Sequence, residues 1–330
     1  MSQYRDNEPG MTRPESHREW QLIEKLVLSM QDEQRRQRRW SIFFRAATLG
    51  YLVLVLVLFM PLRGGFSSGL APATDEHTAL VDVSGVIADG AEANADAISR
   101  GLRRAFEAEL SKAVLLRINS PGGSPVQSAY VFNEITRLKA EYPEKKVYAV
   151  ITDMGASGAY YIAAAADEIY VDPASIVGSI GVIMAGFGFT EALEKLGIER
   201  RVQTSGDNKA LLDPFQPQNA EQQAHFQHLL DQVHEQFINA VKKGRGERLD
   251  ADAHPELFSG LVWSGIEAIE LGLADGTGSP GQVAREVIGA EKIVDYSVLP
   301  HPFERLLGGF GVSVGRGIGS VLGLDSAPLR

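Results

Sequence analysis

The sequence predicts an α/β fold with mostly parallel strand crossovers. Two observations predict it. Short runs of aliphatic and β-branched residues alternate with segments of helical spacing from residue 79 to 288. The turns between them are marked by Gly, Pro, Ser and Asn, with no internal repeat. The chain has 330 residues, enough for a sizeable core.

The elements follow in order. Residues 80–83 read as a strand closed by Ser84 and Gly85. Residues 93–112 have helical spacing through Ile98, Leu102, Phe106 and Leu110. Residues 114–118 form a second strand, followed by Asn119-Ser120-Pro121-Gly122-Gly123. Residues 125–142 read as a helix with Val126, Val131, Ile135 and Leu138 on one face, and residues 147–151 as a third strand. Residues 158–166 form a compact helix of small residues, and 168–171 a strand. Residues 177–188 are apolar and Gly-rich; 191–196 read as a short helix and 199–204 as a strand. Residues 219–243 form a long amphipathic helix marked by Phe226, Leu229, Leu230, Val233, Phe237 and Val241. Residues 265–271 and 280–288 are further helices.

The N-terminal region differs in kind. Residues 1–20 are polar and read as disordered, with 19–39 a helix leading onward. Residues 46–62 are 17 uncharged residues, and seven consecutive apolar ones run from Leu52 to Leu58. Such a run leaves no polar face and fits neither an amphipathic helix nor a half-buried strand. With residues 41–44 added and Arg45 reaching toward headgroups, it predicts a membrane-spanning anchor over 41–62. A buried core helix and a cleaved signal peptide are the alternatives; 45 residues before the run are too many for a signal peptide. Arg35, Arg36, Arg38, Arg39 and Arg45 precede the span and only Arg63 closely follows it, which places the N-terminus in the cytoplasm. Residues 1–40 are then a cytoplasmic segment, 63–78 a linker, 79–300 the folded domain and 301–330 a Gly-rich tail.

Charge and composition exclude several functions. The net charge of −10 argues against a general nucleic-acid binder. It divides into 9 basic and 7 acidic residues over 1–45, against 23 and 35 over the rest. With no cysteine there is no disulfide, zinc–thiolate site, iron–sulfur cluster or thiol nucleophile.

The reactive candidates are therefore oxygen and nitrogen groups. Ser157, in Gly155-Ala156-Ser157-Gly158-Ala159, falls between a predicted strand and a predicted helix. A serine there projects from a tight turn, and small neighbours admit a substrate backbone. The fifth position is Ala159, not the glycine of a nucleophile elbow. None of the seven histidines lies in a Gly-rich or turn context suited to a base: His17 precedes the span, His77 falls in the linker, and His225, His228 and His234 fall on the long helix. A lysine serves as base only where burial or positive surroundings lower its pKa from ~10.4. Between Ser157 and residue 219 there are two, Lys195 and Lys209. Lys195 reads as a solvated helix end with an acidic partner, whereas Lys209 lies between a polar loop and an apolar stretch where desolvation is expected. Gly123 and Gly158 are the natural pair of backbone donors to an oxyanion.

Asn119-Ser-Pro-Gly-Gly123, Gly155-Ala-Ser-Gly-Ala-Tyr-Tyr-Ile-Ala163, Gly178-Ser-Ile-Gly-Val182, Ser205-Gly-x-x-Lys209 and the later Val262-Trp-Ser-Gly265…Gly272-Leu-Ala-Asp275 together are closely similar to the bacterial signal peptide peptidase A (SppA) family of membrane serine proteases, in its short form. The resemblance runs over residues 79–277. It implies a crotonase-like, ClpP-related fold of stacked β-α units. It implies Ser157 as nucleophile, Lys209 as general base, Ser179 orienting the lysine, and Gly123 with Gly158 as the oxyanion hole. It further implies a homo-oligomeric ring or dome, with the dyad completed between neighbouring subunits, and no cofactor or metal. The place implied is the bacterial inner membrane, with the catalytic domain outside the cytoplasm. Expected substrates are remnant signal peptides and other apolar peptides, held in extended form against Ile180, Val182, Ile183 and Met184. The Pro-Gly-Gly motif also resembles ClpP, but no histidine stands between Ser157 and Lys209 to serve as its base. The related protease SohB shares the dyad. A crotonase-like acyl-CoA enzyme and a non-catalytic membrane scaffold are the competing readings.

Overall fold

A computed structural model describes residues 39–54 and 74–298. The chain divides into two units, Met1–Gly69 and Leu70–Arg330. In the first, residues 39–54 form helix α1, exposed along its length, with Trp40 packed on Phe43 and Phe44. This is the leading part of the expected anchor; residues 55–62, the expected linker up to residue 73, residues 1–38 and the tail lie outside the described residues. Among the described residues no helix is long and apolar enough to cross a membrane.

The second unit is a mixed α/β sheet fold. Strands β1 (His77–Ser84), β2 (Ser111–Ser120), β3 (Val147–Ala156), β4 (Glu168–Val171), β5 (Ile176–Gly178), β6 (Val262–Ser264), β7 (Gly276–Thr277) and β8 (Ile293–Asp295) form one sheet, ordered β6-β5-β3-β2-β1-β8. Every pairing is parallel except β5 with β6. β3 forks: residues 148–151 pair with β4, and 154–156 pair with β5. The fork opens the sheet at the end of β3, where Ser157 follows.

Two-residue periodicity builds both faces. Ala79, Val81 and Val83 of β1, Val114, Leu116 and Ile118 of β2, and Val147, Ala149 and Ile151 of β3 enter the main core. The intervening Leu80, Ala113, Leu115, Tyr148 and Val150 pack in a smaller cluster on the other face. Helices α2 (Ala95–Glu107), α3 (Pro125–Glu141), α4 (Gly158–Ala163) and the end of α6 (Ala220–Arg245) contribute to the main core through Leu102, Phe106, Ile135, Tyr160, Phe237 and Val241. Asn94 caps α2, accepting from the Ala97 N–H at 2.9 Å, and Ser124 caps α3 with Pro125 at its first position.

Several expected bounds shift. β1 begins at His77, two residues before the expected domain start, and His77 is a buried strand residue bonded to the Tyr296 hydroxyl at 2.9 Å, not linker. α2 stops at Glu107, because Lys145 donates to the carbonyls of Phe106 and Ala108 and β2 begins at Ser111. Leu110 is thus exposed outside the helix, and Val126 is exposed on α3. Helix α5 (Thr190–Leu196) forms as expected, but residues 199–204 pair with no strand and are exposed. Helix α7 (Gly265–Glu270) is fixed by a capping box between Ser264 and Glu267, and α8 (Pro280–Gln282) runs on into a π-helical turn, Val283–Ile288.

Arg245 and Asp275 lock the far side of the sheet. The Arg245 side chain is fully buried and makes a two-pronged bond to Asp275 at 2.8 and 2.9 Å. Asp275 also accepts from the Ile169 N–H and returns its own N–H to the Ile169 carbonyl, each at 2.7 Å. Burial works against the Asp275 charge, yet the Arg245 bond, the Ile169 N–H and the charges of Arg245 and Arg248 together hold its carboxyl below the ordinary value. A depressed folded pKa contributes stability that is complete above the unfolded value and lost as pH falls through the folded one. Urea midpoints should therefore drop on acidification below pH ~4, and Asp275→Asn should weaken that dependence. Arg245→Ala, which leaves Asp275 unpaired, is expected to cost about 3–5 kcal/mol in the same assay.

Candidate active site

Ser157 sits between β3 and α4 with φ 53° and ψ −125°. A non-glycine residue there costs about 1–3 kcal/mol and persists only where its surroundings impose it. The imposing contact is its own N–H, which donates to the Gly178 carbonyl at 2.8 Å. That bond continues the register in which Ala156 faces Gly178, so Ser179 stands beside Ser157 at the adjoining strand end. Ser179 repeats the conformation, φ 53°, and its N–H donates to the Leu261 carbonyl at 2.7 Å. Ser157 is half-buried, and its hydroxyl has no hydrogen-bond partner among the described residues.

The Gly122-Gly123 turn closes over this serine. A methyl on Gly122 would lie 2.6 Å from the Gly158 nitrogen and 2.8 Å from Ser157 Cβ. A methyl on Gly123, at φ +150°, would lie 2.1 Å from the Ile87 carbonyl oxygen. Ile87 and Gly123 form a parallel bridge made by the Ile87 N–H to Gly122 and the Ser124 N–H to Ile87. In such a bridge the Gly123 N–H points away from Ile87. Neither it nor the Gly158 N–H meets an acceptor among the described residues. A hydroxyl nucleophile beside two uncommitted backbone donors can attack a carbonyl and hold the oxyanion that forms.

Tyr160 and Ser128 support the turn from behind. Tyr160 is fully buried and donates to the Leu273 carbonyl at 2.8 Å. Burial pushes its phenol well above the ordinary value, so it stays a neutral donor. Ser128, on the first turn of α3, has its hydroxyl where a Gly158 side chain would go, 2.5 Å from the methyl position.

Lys209 is placed differently. It lies in an exposed turn, its N–H bonded to the Gly206 carbonyl at 3.1 Å, and its amine meets no partner among the described residues. The desolvation expected from its apolar sequence neighbours does not arise within the chain, because residues 181–219 leave the core. That excursion has its own fastening. Arg200 pairs with Asp213 at 2.9 Å and lies over Phe215, which stacks on Phe189. Lys195 reaches only Glu191, at 3.7 Å, and is a solvated helix end as expected.

The expected peptide walls separate. Ile180 is fully buried in the core and cannot line a cleft, because the turn after Ser179 directs it inward; its carbonyl accepts from His234 at 3.1 Å. Val182 is half-buried, and Ile183 and Met184 are exposed. Among the described residues no group of three or more His, Asp or Glu is arranged to hold a metal. Sequence reasoning missed Arg245, whose only signal was its place at the end of an amphipathic helix.

Residues 139–293 match the model of peptidase family S49. A protein of Enterococcus faecium, provisionally named signal peptide peptidase SppA, is 31% identical over 238 residues, covering 69% of this chain and 68% of that protein. The chain belongs to peptidase family S49. A provisionally named protease of Synechocystis is 34% identical over 207 residues, 63% of this chain and 72% of that protein. A Brucella melitensis protein named Na(+)/H(+) antiporter NhaA is 49% identical over 188 residues, which are 57% of this chain. The match covers only 25% of that protein, about a quarter of its length.

Proposed function

We propose that this chain is a membrane-anchored serine endopeptidase with a Ser157–Lys209 dyad that degrades remnant signal peptides and other apolar peptides. The observation that supports it most is the strained Ser157 turn facing two uncommitted N–H groups. Ser157 Oγ attacks the peptide carbonyl while neutral Lys209 takes its proton. The N–H groups of Gly123 and Gly158 hold the oxyanion. As the tetrahedral adduct collapses, the C–N bond breaks and Lys209 returns the proton to the leaving amine. Water, losing a proton to the same lysine, then hydrolyses the ester and frees Ser157. Ser179, next to Ser157 in the strand register, orients the amine.

The exposure of Lys209 supports completion of the dyad by a neighbouring copy in a homo-oligomeric ring. So do the exposed Phe187, Leu196 and Ile198 of the same excursion. Their burial against a second copy would supply the dry surroundings in which a neutral amine persists. Exposed Ile183 and Met184, with half-buried Val182, suit an extended apolar peptide. The largely parallel sheet with its Gly-Gly turn suits a crotonase- and ClpP-like arrangement of β-α units. Residues 41–62 anchor the chain in the bacterial inner membrane, N-terminus inside, with the 79–300 peptidase domain outside the cytoplasm.

The test is covalent. Full-length protein in detergent is treated with a fluorophosphonate and digested for mass spectrometry. Modification of Ser157 alone, suppressed by a competing apolar peptide, is the expected result. An unmodified Ser157 in a preparation that cleaves peptide would sink this reading.

A further inference from the structure

Trp263 stands in β6 opposite Val177 of β5. Its indole covers the neighbouring Gly178 so closely that a methyl there would be 2.9 Å from Cδ1 and 3.4 Å from Nε1. Gly178 supplies the carbonyl that takes the Ser157 N–H, and Leu261, just ahead of β6, supplies the one that takes the Ser179 N–H. This short edge strand and the residue before it therefore hold Gly178, to which Ser157 is tied, and its neighbour Ser179. The Trp263 Nε1 is moreover the single buried side-chain polar atom without a partner among the described residues. Leaving such a donor unpaired is costly, and phenylalanine would fill much of the space without it.

We propose that Trp263 is a positioning residue for Ser157: the indole plate clamps Gly178, so that the Gly178 carbonyl holds the Ser157 N–H and keeps the serine at φ 53°. This rests on Ser157 being the nucleophile. Loss of the plate would let Gly178 shift and the serine relax, which lowers the rate of attack without changing peptide affinity. A misplacement of this kind, on the order of 1 Å, lowers rates by up to about 100-fold.

The experiment compares full-length Trp263→Ala, Trp263→Phe and Ser157→Ala with the parent protein. Readouts are kcat and KM on an apolar peptide, the rate of fluorophosphonate labelling and the melting temperature. Trp263→Ala is expected to lower kcat and labelling roughly 10- to 100-fold, with KM within about twofold. Trp263→Phe, which keeps a ring and removes the orphan N–H, should recover most of kcat and melt no lower than the parent. Unchanged labelling in Trp263→Ala overturns the proposal. A raised KM at constant kcat also overturns it, because the indole would then be a peptide wall. Equal losses in the Phe and Ala variants overturn it too, since the plate would not be what matters. If Trp263→Ala fails to fold, Trp263→Leu replaces it under the same criteria. An active Ser157→Ala defeats the nucleophile reading itself. An inactive Ser157→Ala with an unaffected Trp263→Ala defeats this inference alone.

Discussion

Ser157→Ala is expected to abolish peptide cleavage, lowering kcat by about 10³-fold or more while peptide binding is retained. The argument is geometric. Ser157 places its hydroxyl at the junction of β3 and α4, next to the open N–H groups of Gly123 and Gly158. Alanine keeps the backbone bond to Gly178 and removes only the attacking oxygen. It also remains strained at φ 53°, so melting temperature should change little. Steady-state cleavage of a fluorogenic apolar peptide, with affinity measured separately, checks both parts. Cleavage within tenfold of the parent would mean another group attacks.

Lys209→Ala is expected to lower kcat by about 10²- to 10⁴-fold, the range for loss of a general base. Lys209→Arg should be equally impaired, since a guanidinium keeps its proton and cannot accept another. Neither change should alter folding, because Lys209 is exposed and its amine contacts nothing among the described residues. The same cleavage assay, with circular dichroism as control, decides it. An active Arg variant would reduce Lys209 to an electrostatic role.

Much of the fold was legible in the sequence because period and punctuation agree. Residues 80–83, 114–118 and 147–151 alternate between two faces of the sheet, interrupted on one face by the Asp82–Arg117 pair, and α3, α5 and α6 carry caps or spacing that local rules detect. The failures have physical causes. Leu110 continues the spacing of α2, but Lys145 caps that helix from 35 or more residues away in sequence. Residues 199–204 have strand composition and no strand to pair with. Phe226 and Leu229 of α6 lie outside the buried core, Phe226 half-buried beside His225 and Leu229 exposed.

The placement of the candidate residues was legible to a similar extent. Ser157, Ser179, Gly123 and Gly158 are each marked by a turn that small residues or a strand end announce, and the sheet brings them together. Ile180 lies in the core and Lys209 is exposed, against the burial expected of each, for the same reason. An apolar flank in sequence does not say whether the chain turns into the core or away from it. Arg245 and Trp263 make long-range contacts, to Asp275 and Gly178, that no local pattern encodes.

The central claim is that Ser157 and Lys209 act together, one supplied by each of two adjacent copies. The most direct measurement mixes the two inactive variants, Ser157→Ala and Lys209→Ala, dissociates and reassembles them, and confirms mixed assemblies by native mass spectrometry. At equal proportions roughly a quarter of the heterologous interfaces pair an intact Ser157 with an intact Lys209. Activity should therefore return to about that fraction of the parent. Verified mixed assemblies that remain as inactive as either variant alone would contradict the account.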